Sequence, residues 1–485
     1  MESELFVFWG FDNMVSESLD TRGFSQARKR FGTWISRSVL QSPARVSILG
    51  FASLISVGTF LLMLPEASTQ HGIGLINALF TSTSACCVTG LVVVDTGKAF
   101  TPFGQGVLLV LIQVGGLGIM TMSTLFLVVL RGRASLAGRT VIHETYSHGR
   151  EGSLSSILRD VLLFAFAIEA IGVILMFFRF LPARGGLDAL YISVFHSVSA
   201  FCNAGFSLFS SSFMGYREDW LLNLTLCFLI MAGGIGFPVL SELKGQSPFK
   251  KRTWSRLSLH SKLVLSTTAI LLVCGSVLIL VMEWRNTLST LSVPGRFLAA
   301  FFQSVTARTA GFNTLPTGNL ANETLLVLML LMFIGASPGS CGGGVKTTTL
   351  ACLSMLGFCR LRGQERPQAF RRTFSEASVG KAVSVVLIGT LVIIIATLAI
   401  LMTEVGGVSH LQSQGKFLEL LFEVFSAFGT VGLTTGVTGG LSAGGKLVIT
   451  MVMFVGRLGP LVIAIAVTRR SISRYHYAEE NILIG

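Results

Sequence analysis

A pattern that occurs four times constrains this chain more than any other feature. Each copy is a short apolar segment, too brief to cross a membrane, that ends in a polar turn built on glycine. Repetition at a near-constant period indicates one structural unit used four times in one chain. The four segments are 77–93, 193–208, 299–314 and 420–435, and their glycines are Gly90, Gly205, Gly311 and Gly432.

Long hydrophobic runs flank every copy. The chain has 485 residues, of which 51% are hydrophobic and 13% charged, a composition typical of a polytopic membrane protein. A helix needs roughly 20 apolar residues to cross the hydrocarbon core. Eight runs approach that length, the sixth being broken near residues 337–339, so we predict an all-α integral membrane fold. The runs are 46–64, 104–130, 161–182, 220–240, 263–284, 325–350, 382–403 and 447–468.

The excess of positive charge follows the same spans. Of the 37 lysine and arginine residues, 25 fall in five segments that are separated from one another by two spans, so all five share one face. Basic loops mark the cytoplasmic face, which places both termini in the cytoplasm. Anionic membrane lipid beside these loops explains the net charge of +13 without nucleic acid. The segments are 22–45, 131–150, 244–262, 360–381 and 469–474.

Motifs for enzymatic or metal chemistry are incomplete. The eight cysteines show no C-x-x-C and no zinc-like spacing, so we interpret them as buried thiols. Residues 335–339 fit the hydrolase pattern G-x-S-x-G, but they end a hydrophobic helix and do not follow a strand. The next stretch is no phosphate loop, because Val345 separates its last glycine from Lys346. We expect neither an enzyme nor a cofactor in this chain.

The four glycine turns point to an ion pathway. A non-helical loop at membrane depth leaves carbonyl groups without partners, which lipid does not tolerate but a hydrated cavity or an ion does. Four such loops around one axis would form rings of carbonyl oxygens that replace a cation's hydration shell. Glycine lets the backbone approach such an axis. The alternative is four re-entrant hairpins that only pack against their neighbours.

Six motifs are shared with a known family. They are TSTSACCVTGL (81–91), FHSVSAFCNAGFS (195–207), VTARTAGFNT (305–314), GASPGSCGGGVKTTT (335–349), FEVFSAFGTVGLTTG (422–436) and GRLGPL (456–461). From about residue 40 onward the chain therefore resembles the Trk/Ktr/HKT superfamily of potassium transporters. The resemblance implies four M1-P-M2 units (span, pore helix, filter loop, span) around a central pore. Trk-type members have two further N-terminal spans, for which residues 1–45 show no hydrophobic run, so the chain is closest to the Ktr type.

The resemblance also implies the residues of the ion site. Potassium-selective members carry glycine in all four units, and Gly90 keeps the first one, where serine is associated with sodium-conducting plant relatives. Backbone carbonyls would bind K+ as the transported ion, and a role of Na+ is left open. The implied donors are Val88, Thr89 and Gly90; Asn203, Ala204 and Gly205; Thr309, Ala310 and Gly311; and Thr430, Val431 and Gly432.

Two features are implied to form a gate below the filter. Arg457 lies in the last span, too deep to reach the surface easily. It either forms a structural ion pair or acts as a positive barrier to cation flow. The broken sixth span is either a plain helix break or an intramembrane loop. The gate residues of that loop would be Gly339, Gly342, Gly343, Gly344 and Lys346.

Four further polar residues lie in or beside apolar stretches. We expect Glu169 to make an ion pair or a hydrogen bond to a pore-helix terminus, and His196 to pack and hydrogen-bond. Glu423 and Arg308 are interpreted as braces of the filter loops, because a bare arginine in the ion path would repel potassium.

The predicted function is potassium uptake across the cell membrane. The rival is a sodium-coupled secondary transporter with alternating access, whose folds have two halves around a midplane site. The resemblance implies a homodimer. No G-x-G-x-x-G is present, so control by a nucleotide requires a separate cytoplasmic regulatory subunit of the RCK type. The divisions are a cytoplasmic segment 1–45, repeats 46–130, 158–243, 262–350 (with the intramembrane loop) and 380–468, and a cytoplasmic tail 469–485.

Overall fold

The chain folds into helices of two lengths. A computed structural model describes residues 43–69, 72–118, 154–244, 251–364, 366–409 and 411–459. Parts of the predicted repeats 1 and 4, such as 119–130, and both predicted terminal segments therefore lie wholly or largely outside the described residues. In chain order the helices are α1 (Pro43–Met63), α2 (Leu75–Cys86), α3 (Thr96–Ala99), α4 (Pro102–Gly116), α5 (Leu154–Arg184), α6 (Gly186–Phe201), α7 (Trp220–Ile235), α8 (Phe237–Leu243), α9 (Lys251–Arg256), α10 (Leu259–Glu283), α11 (Val293–Thr306), α12 (Asn322–Phe333), α13 (Thr347–Leu361), α14 (Glu376–Glu404), α15 (Lys416–Gly429) and α16 (Ala443–Leu458). Strands β1 (Gln368–Ala369) and β2 (Arg372–Thr373) form one antiparallel hairpin, and 3-10 turns lie at Pro65–Ala67, Met214–Tyr216, Thr317–Asn319 and Thr438–Gly440.

Long apolar helices alternate with short buried ones. Within the described ranges, four helices are long and apolar enough to span a membrane, namely α1, α5, α10 and α14, and a fifth span results if the bent pair α7 and α8 counts as one. Their outer faces carry exposed apolar side chains, such as Phe178, Val281 and Met402, which a bilayer would cover. The short helices α2, α6, α11 and α15 each follow a long one and are mostly buried. This arrangement agrees with the predicted all-α membrane fold.

One contact fixes the short helix in the first three units. In each of these units, a serine hydroxyl of the short helix donates to a backbone carbonyl of the preceding long helix. This carbonyl belongs to the residue three positions before a glycine of the long helix. A Cβ at that glycine would overlap the serine, so the small residue lets the helices approach. In the fourth unit Gly389 faces the ring of Phe428 instead. The three contacts are Ser82 Oγ to Ile55 O (2.9 Å) at Gly58, Ser197 Oγ to Glu169 O (2.7 Å) at Gly172, and Ser304 Oγ to Leu272 O (3.0 Å) at Gly275.

Two of the predicted spans are interrupted. The sixth is broken as predicted, since α12 ends at Phe333 and α13 begins at Thr347. The fourth, predicted as one continuous run over 220–240, bends by 101° between α7 and α8. The bend is at Gly236, whose φ is +95° and where a Cβ would lie 2.5 Å from Pro338 O. The predicted hydrophobic run therefore contains a bend that its hydropathy does not reveal, and the bend brings Gly236 against the loop between α12 and α13.

Candidate functional site

The four glycine turns meet in one closed ring. Their φ angles are all positive, +87° at Gly90, +69° at Gly205, +77° at Gly311 and +93° at Gly432. A Cβ added to any of them would lie less than 3.0 Å from a carbonyl oxygen of the next loop. The circle closes because a Cβ on Gly432 would meet Thr89 O. Only glycine combines this backbone conformation with this close approach.

The backbone alternates in hand within each loop. The residue two positions before the ring glycine also has a positive φ, between 50° and 73°, whereas the residue between them does not. Such alternation turns successive N–H groups to one side and leaves the carbonyls on the other. The N–H groups are used by the preceding short helix: Thr89 donates to Ser84 O (2.8 Å) and Val431 to Ser426 O (2.9 Å). The four residues with this second positive φ are Val88, Asn203, Thr309 and Thr430.

The carbonyl oxygens of the loops accept no hydrogen bond from the described residues. In the part of the chain that the structure describes, no backbone N–H reaches any of the twelve oxygens predicted as ion donors. Almost all of these residues are buried, and unpaired buried carbonyls are rare because each leaves its desolvation uncompensated. A dehydrated cation would satisfy them. The loops are 88–90, 203–205, 309–311 and 430–432.

The surroundings of the ring also favour a cation. The short helices α2, α6, α11 and α15 end immediately before the loops, and a helix C-terminus carries a partial negative charge of roughly half a unit. A cavity of about 320 Å³, lined by all four ring glycines, opens on one side of the ring. Asp95 and several serines contribute to its wall. The arrangement can therefore attract, dehydrate and hold a monovalent cation.

The loop between α12 and α13, which the sequence predicts as an intramembrane loop, lies against the ring on the side opposite this cavity. Residues 334–346 join α12 to α13. The Gly343 N–H donates to Thr430 Oγ1 (3.0 Å), and a Cβ on Gly342 would overlap Thr309 Oγ1. Since Thr309 and Thr430 begin their filter loops, the glycines of this loop lie against the first residues of two of the four filter loops.

Hydrogen bonds to two other units hold the loop in place. Two of its N–H groups bond to the end of α7 and a third to α16, while a lysine ammonium binds within the loop itself. All the predicted gate residues of the broken span lie in this network or beside it. The bonds are Ser337 N to Gly234 O (3.1 Å), Cys341 N to Gly233 O (3.1 Å), Gly344 N to Gly456 O (3.4 Å), Phe237 N to Gly339 O (3.1 Å) and Lys346 Nζ to Gly342 O (2.6 Å).

Arg457 ties the loop to two helices. Its guanidinium is buried and donates to Cys341 O in the loop and to Gly115 O at the end of α4. The three ion pairs found among the described residues involve other side chains. The ion-pair interpretation of Arg457 therefore has no support in the described ranges, and a hydrogen-bonded cation beside the loop is what the geometry contains.

The comparisons with known proteins agree with this geometry. A family model described as TrkH, cation transport protein, matches residues 41–474. The chain belongs to this family. It is 38% identical to the Ktr system potassium uptake protein B of Bacillus subtilis (strain 168), over 92% of this chain and 97% of that protein. It is 37% identical to the protein of the same name from Vibrio alginolyticus, over 91% and 94%. It is 36% identical to the potassium/sodium uptake protein NtpJ of Enterococcus hirae, over 92% and 97%.

A solved structure has a similar fold. The crystal structure of the potassium transporter TrkH from Vibrio parahaemolyticus matches with a TM-score of 0.67 at 19% identity, covering 87% of this chain and 83% of that chain. Members of the TrkH family are transport proteins, so this chain is a transporter and not an enzyme.

Within this TrkH family member, the third filter loop departs from the others. The distance along the chain from Ser304 to Gly311 is one residue shorter than the corresponding distance from Ser82 to Gly90. The third unit therefore has a one-residue deletion, which is not visible when the four copies are aligned on their glycines alone. Aligning the copies on their serines as well would have revealed it. Arg308 stands in the shortened loop, next to Thr309, and is buried.

Three other buried polar residues form hydrogen bonds around the ring. Glu169 accepts a hydrogen bond from Gln113 Nε2 (3.0 Å) in α4, so its side-chain partner is not the pore-helix terminus that the sequence analysis considered. Glu423 accepts from Thr438 Oγ1 (3.0 Å) and Thr434 Oγ1 after the fourth filter loop. His196 bonds to Ile192 O (2.8 Å) and stacks on Phe209. Neither Glu423 nor His196 is among the ring residues.

Proposed function

We propose that this TrkH family member takes up potassium across the bacterial cell membrane through the ring of four filter loops. The observation that carries the proposal is the closed circle of buried carbonyl oxygens that accept from no donor in the described ranges. Such oxygens replace the hydration shell of a cation. The names of the similar Ktr proteins, potassium uptake protein B, support potassium as the ion. The name of the enterococcal relative includes sodium, so sodium is tested beside potassium.

The residues of the proposed site are the twelve carbonyl donors predicted from the sequence. In each loop, the three residues contribute their carbonyl oxygens to three different layers. The oxygens of the ring glycines form the layer beside the wide cavity. The four repeats supply equivalent groups, which is why the proposed divisions of the chain at 46–130, 158–243, 262–350 and 380–468 follow the four loops.

We propose that the intramembrane loop and Arg457 together form the gate. The loop lies under the ring, and its hydrogen bonds to α7 and α16 hold it there. Arg457 places a positive charge beside the loop and bonds to Cys341 O. An ion leaving the ring meets both the backbone of the loop and this charge, so conduction requires the loop to move aside.

The remaining elements of the proposal concern the assembly. Both termini would lie in the cytoplasm with the basic loops. The chain would form a homodimer and bind a cytoplasmic nucleotide-binding subunit of the RCK type. Support for the cytoplasmic termini comes from the distribution of lysine and arginine, and support for a partner subunit comes from the word "system" in the name of the relatives.

The test is ion flux through the purified full-length chain in proteoliposomes. We expect uptake of potassium and rubidium, slower uptake of sodium, and an increase when the membrane potential is made negative inside. Measuring the three cations under one imposed potential gives the selectivity directly. Liposomes that contain correctly folded protein and take up none of the three would reject the proposal.

A further inference from the structure

Among the residues that the structure describes, a buried arginine behind the third filter loop has no partner for its charge. Arg308 is 8% exposed, and its Nε atom has no hydrogen-bond partner. No ion pair of the described residues includes it. The carboxyl end of α11, two residues earlier, offsets part of the charge through its helix dipole. A buried guanidinium ordinarily requires a full counter-charge or several acceptors.

The side chain borders a small cavity. The cavity measures about 20 Å³ and is lined by Arg308, Thr268, Val305, Ile230 and Ala336, among others. The hydroxyl of Thr268 is also buried and has no partner. Two hydrogen-bond donors, Arg308 in the third filter loop and Thr268 in α10, therefore border the same cavity, and none of its lining residues is acidic.

The size of the cavity limits what can occupy it. About 10–15 Å³ holds one water-sized particle, so this cavity accepts a single particle of that size or slightly larger. A halide ion fits, whereas a lipid phosphate or a carboxylate does not fit completely. We propose that this cavity binds one halide ion, chloride under physiological conditions, between the Arg308 guanidinium and the Thr268 hydroxyl.

The bound anion would act on the ion path through Arg308. Arg308 precedes Thr309, whose carbonyl belongs to the ring. An uncompensated unit charge at roughly 10 Å and an effective dielectric of 20 changes the population of a cation site by about tenfold. A halide beside Arg308 removes this repulsion, so potassium flux should depend on the anion. This effect on flux rests on the proposed potassium function, whereas binding of the anion does not.

The experiment uses the full-length chain in chloride, bromide or gluconate at equal ionic strength. Gluconate is too large for the cavity. We expect the melting temperature to be higher by at least about 2 °C in chloride and bromide than in gluconate. Potassium flux in gluconate should fall by about tenfold. Equal melting temperatures in all three salts would overturn the proposal, because a cavity filled with water alone shows no anion dependence. Melting that responds to halide without any flux in any salt would leave the anion site standing and reject the potassium function.

Two variants assign the effect to the cavity. Arg308→Gln should abolish the difference between chloride and gluconate, and Arg308→Lys should retain it at a higher half-saturating chloride concentration. Thr268→Val should also raise that concentration without changing the maximal flux. Thr397→Val is the matched control, because Thr397 in α14 is another buried threonine without a partner and does not line the cavity. A halide effect that persists in Arg308→Gln, or that moves equally in both threonine variants, contradicts the site.

A lipid source of the negative charge is tested separately. Proteoliposomes in gluconate are prepared with increasing fractions of phosphatidylglycerol. The halide proposal predicts no recovery of flux or melting temperature with this lipid. Full recovery would assign the counter-charge to a lipid phosphate and overturn the halide.

Discussion

Two different constraints require glycine at each ring position. The first is conformational, since φ is between +69° and +93° at all four. The second is spatial, since a Cβ would overlap the neighbouring loop. The loops also hold Val88 and Thr430 at positive φ, where a β-branched residue costs about 1–3 kcal/mol. Strain of this kind persists only where the surroundings over-determine the backbone, and here the bonds from the loop N–H groups to the short helices provide that support.

Replacing a ring glycine should therefore alter selectivity. Gly90→Ser places a side chain against Ala204 O and Gly205 Cα, which displaces the carbonyls of two loops. We expect the ratio of sodium to potassium flux to rise. Gly436→Ser is the matched control, since Gly436 also has a positive φ (+106°) but no atom within 4 Å of an added Cβ. An unchanged ratio in Gly90→Ser, or an equal change in both variants, would show that Gly90 does not set selectivity.

The Arg457 side chain is expected to slow conduction. A fixed charge at ~4 Å and an effective dielectric of 20 opposes a cation by about 4 kcal/mol, roughly a thousandfold in rate. Arg457→Ala should raise rubidium uptake, and Arg457→Lys should remain near the wild type because it keeps the charge. The alanine variant also loses two hydrogen bonds from a charged donor, each worth about 1.5–3 kcal/mol. Rubidium uptake and thermal unfolding are measured together, and lost stability without any gain of flux would contradict the barrier.

At the level of elements, the sequence predicts the repeated parts better than the exceptions. The four glycine turns and the break near Pro338 follow from short-range signals, namely glycine spacing and interrupted hydropathy. The bend at Gly236 could not be predicted this way, because its cause is a contact with Pro338, about 100 residues away along the chain. The contact of Ser82 with Ile55 O at Gly58 has the same character. Each partner alone is a common residue in an apolar helix, and only their approach in space gives it meaning.

Shortening the intramembrane loop should raise the basal flux. Deletion of Gly342–Gly344 removes the residues that lie against Thr309 and Thr430, while α12 and α13 keep their own packing. We expect rubidium uptake to increase in the absence of any regulator, with a monodisperse protein of similar melting temperature. Deletion of residues 406–408 is the control, because this exposed turn has the same length and lies away from the ring. A protein that no longer folds, with the control intact, would favour a packing role for the loop.

At the level of the whole molecule, the four units are equivalent at the ring and unequal around it. The third unit alone combines a shortened filter loop, a broken second span and Arg308. The loop between α12 and α13 of this unit forms hydrogen bonds to the ends of α7 and α16. A movement of this loop therefore changes contacts in two other units. Fourfold repetition thus serves the ion site, where equal carbonyl groups are needed. We propose that the departures from it supply what a symmetric ring lacks, an element able to block the exit and respond to a signal.

The closed ring also predicts how transport responds to a sodium gradient. In alternating access, two halves of the molecule move against each other around the bound ion. Here each filter glycine touches the next, so dividing the ring into halves would break two of its four contacts. We therefore expect a pore in which potassium moves down its own electrochemical gradient.

The measurement is the potential at which net potassium flux is zero, determined in proteoliposomes with a fixed potassium gradient. It is made first with equal sodium on both sides and then with a tenfold sodium gradient. A pore that selects potassium keeps this potential at the potassium equilibrium value, even if sodium alters the rate. A sodium-coupled transporter must shift it, because each cycle then draws on both gradients. Arg457→Ala, which should conduct faster, makes the same comparison at higher signal, and a sodium-dependent shift in both proteins would replace the pore with a coupled carrier.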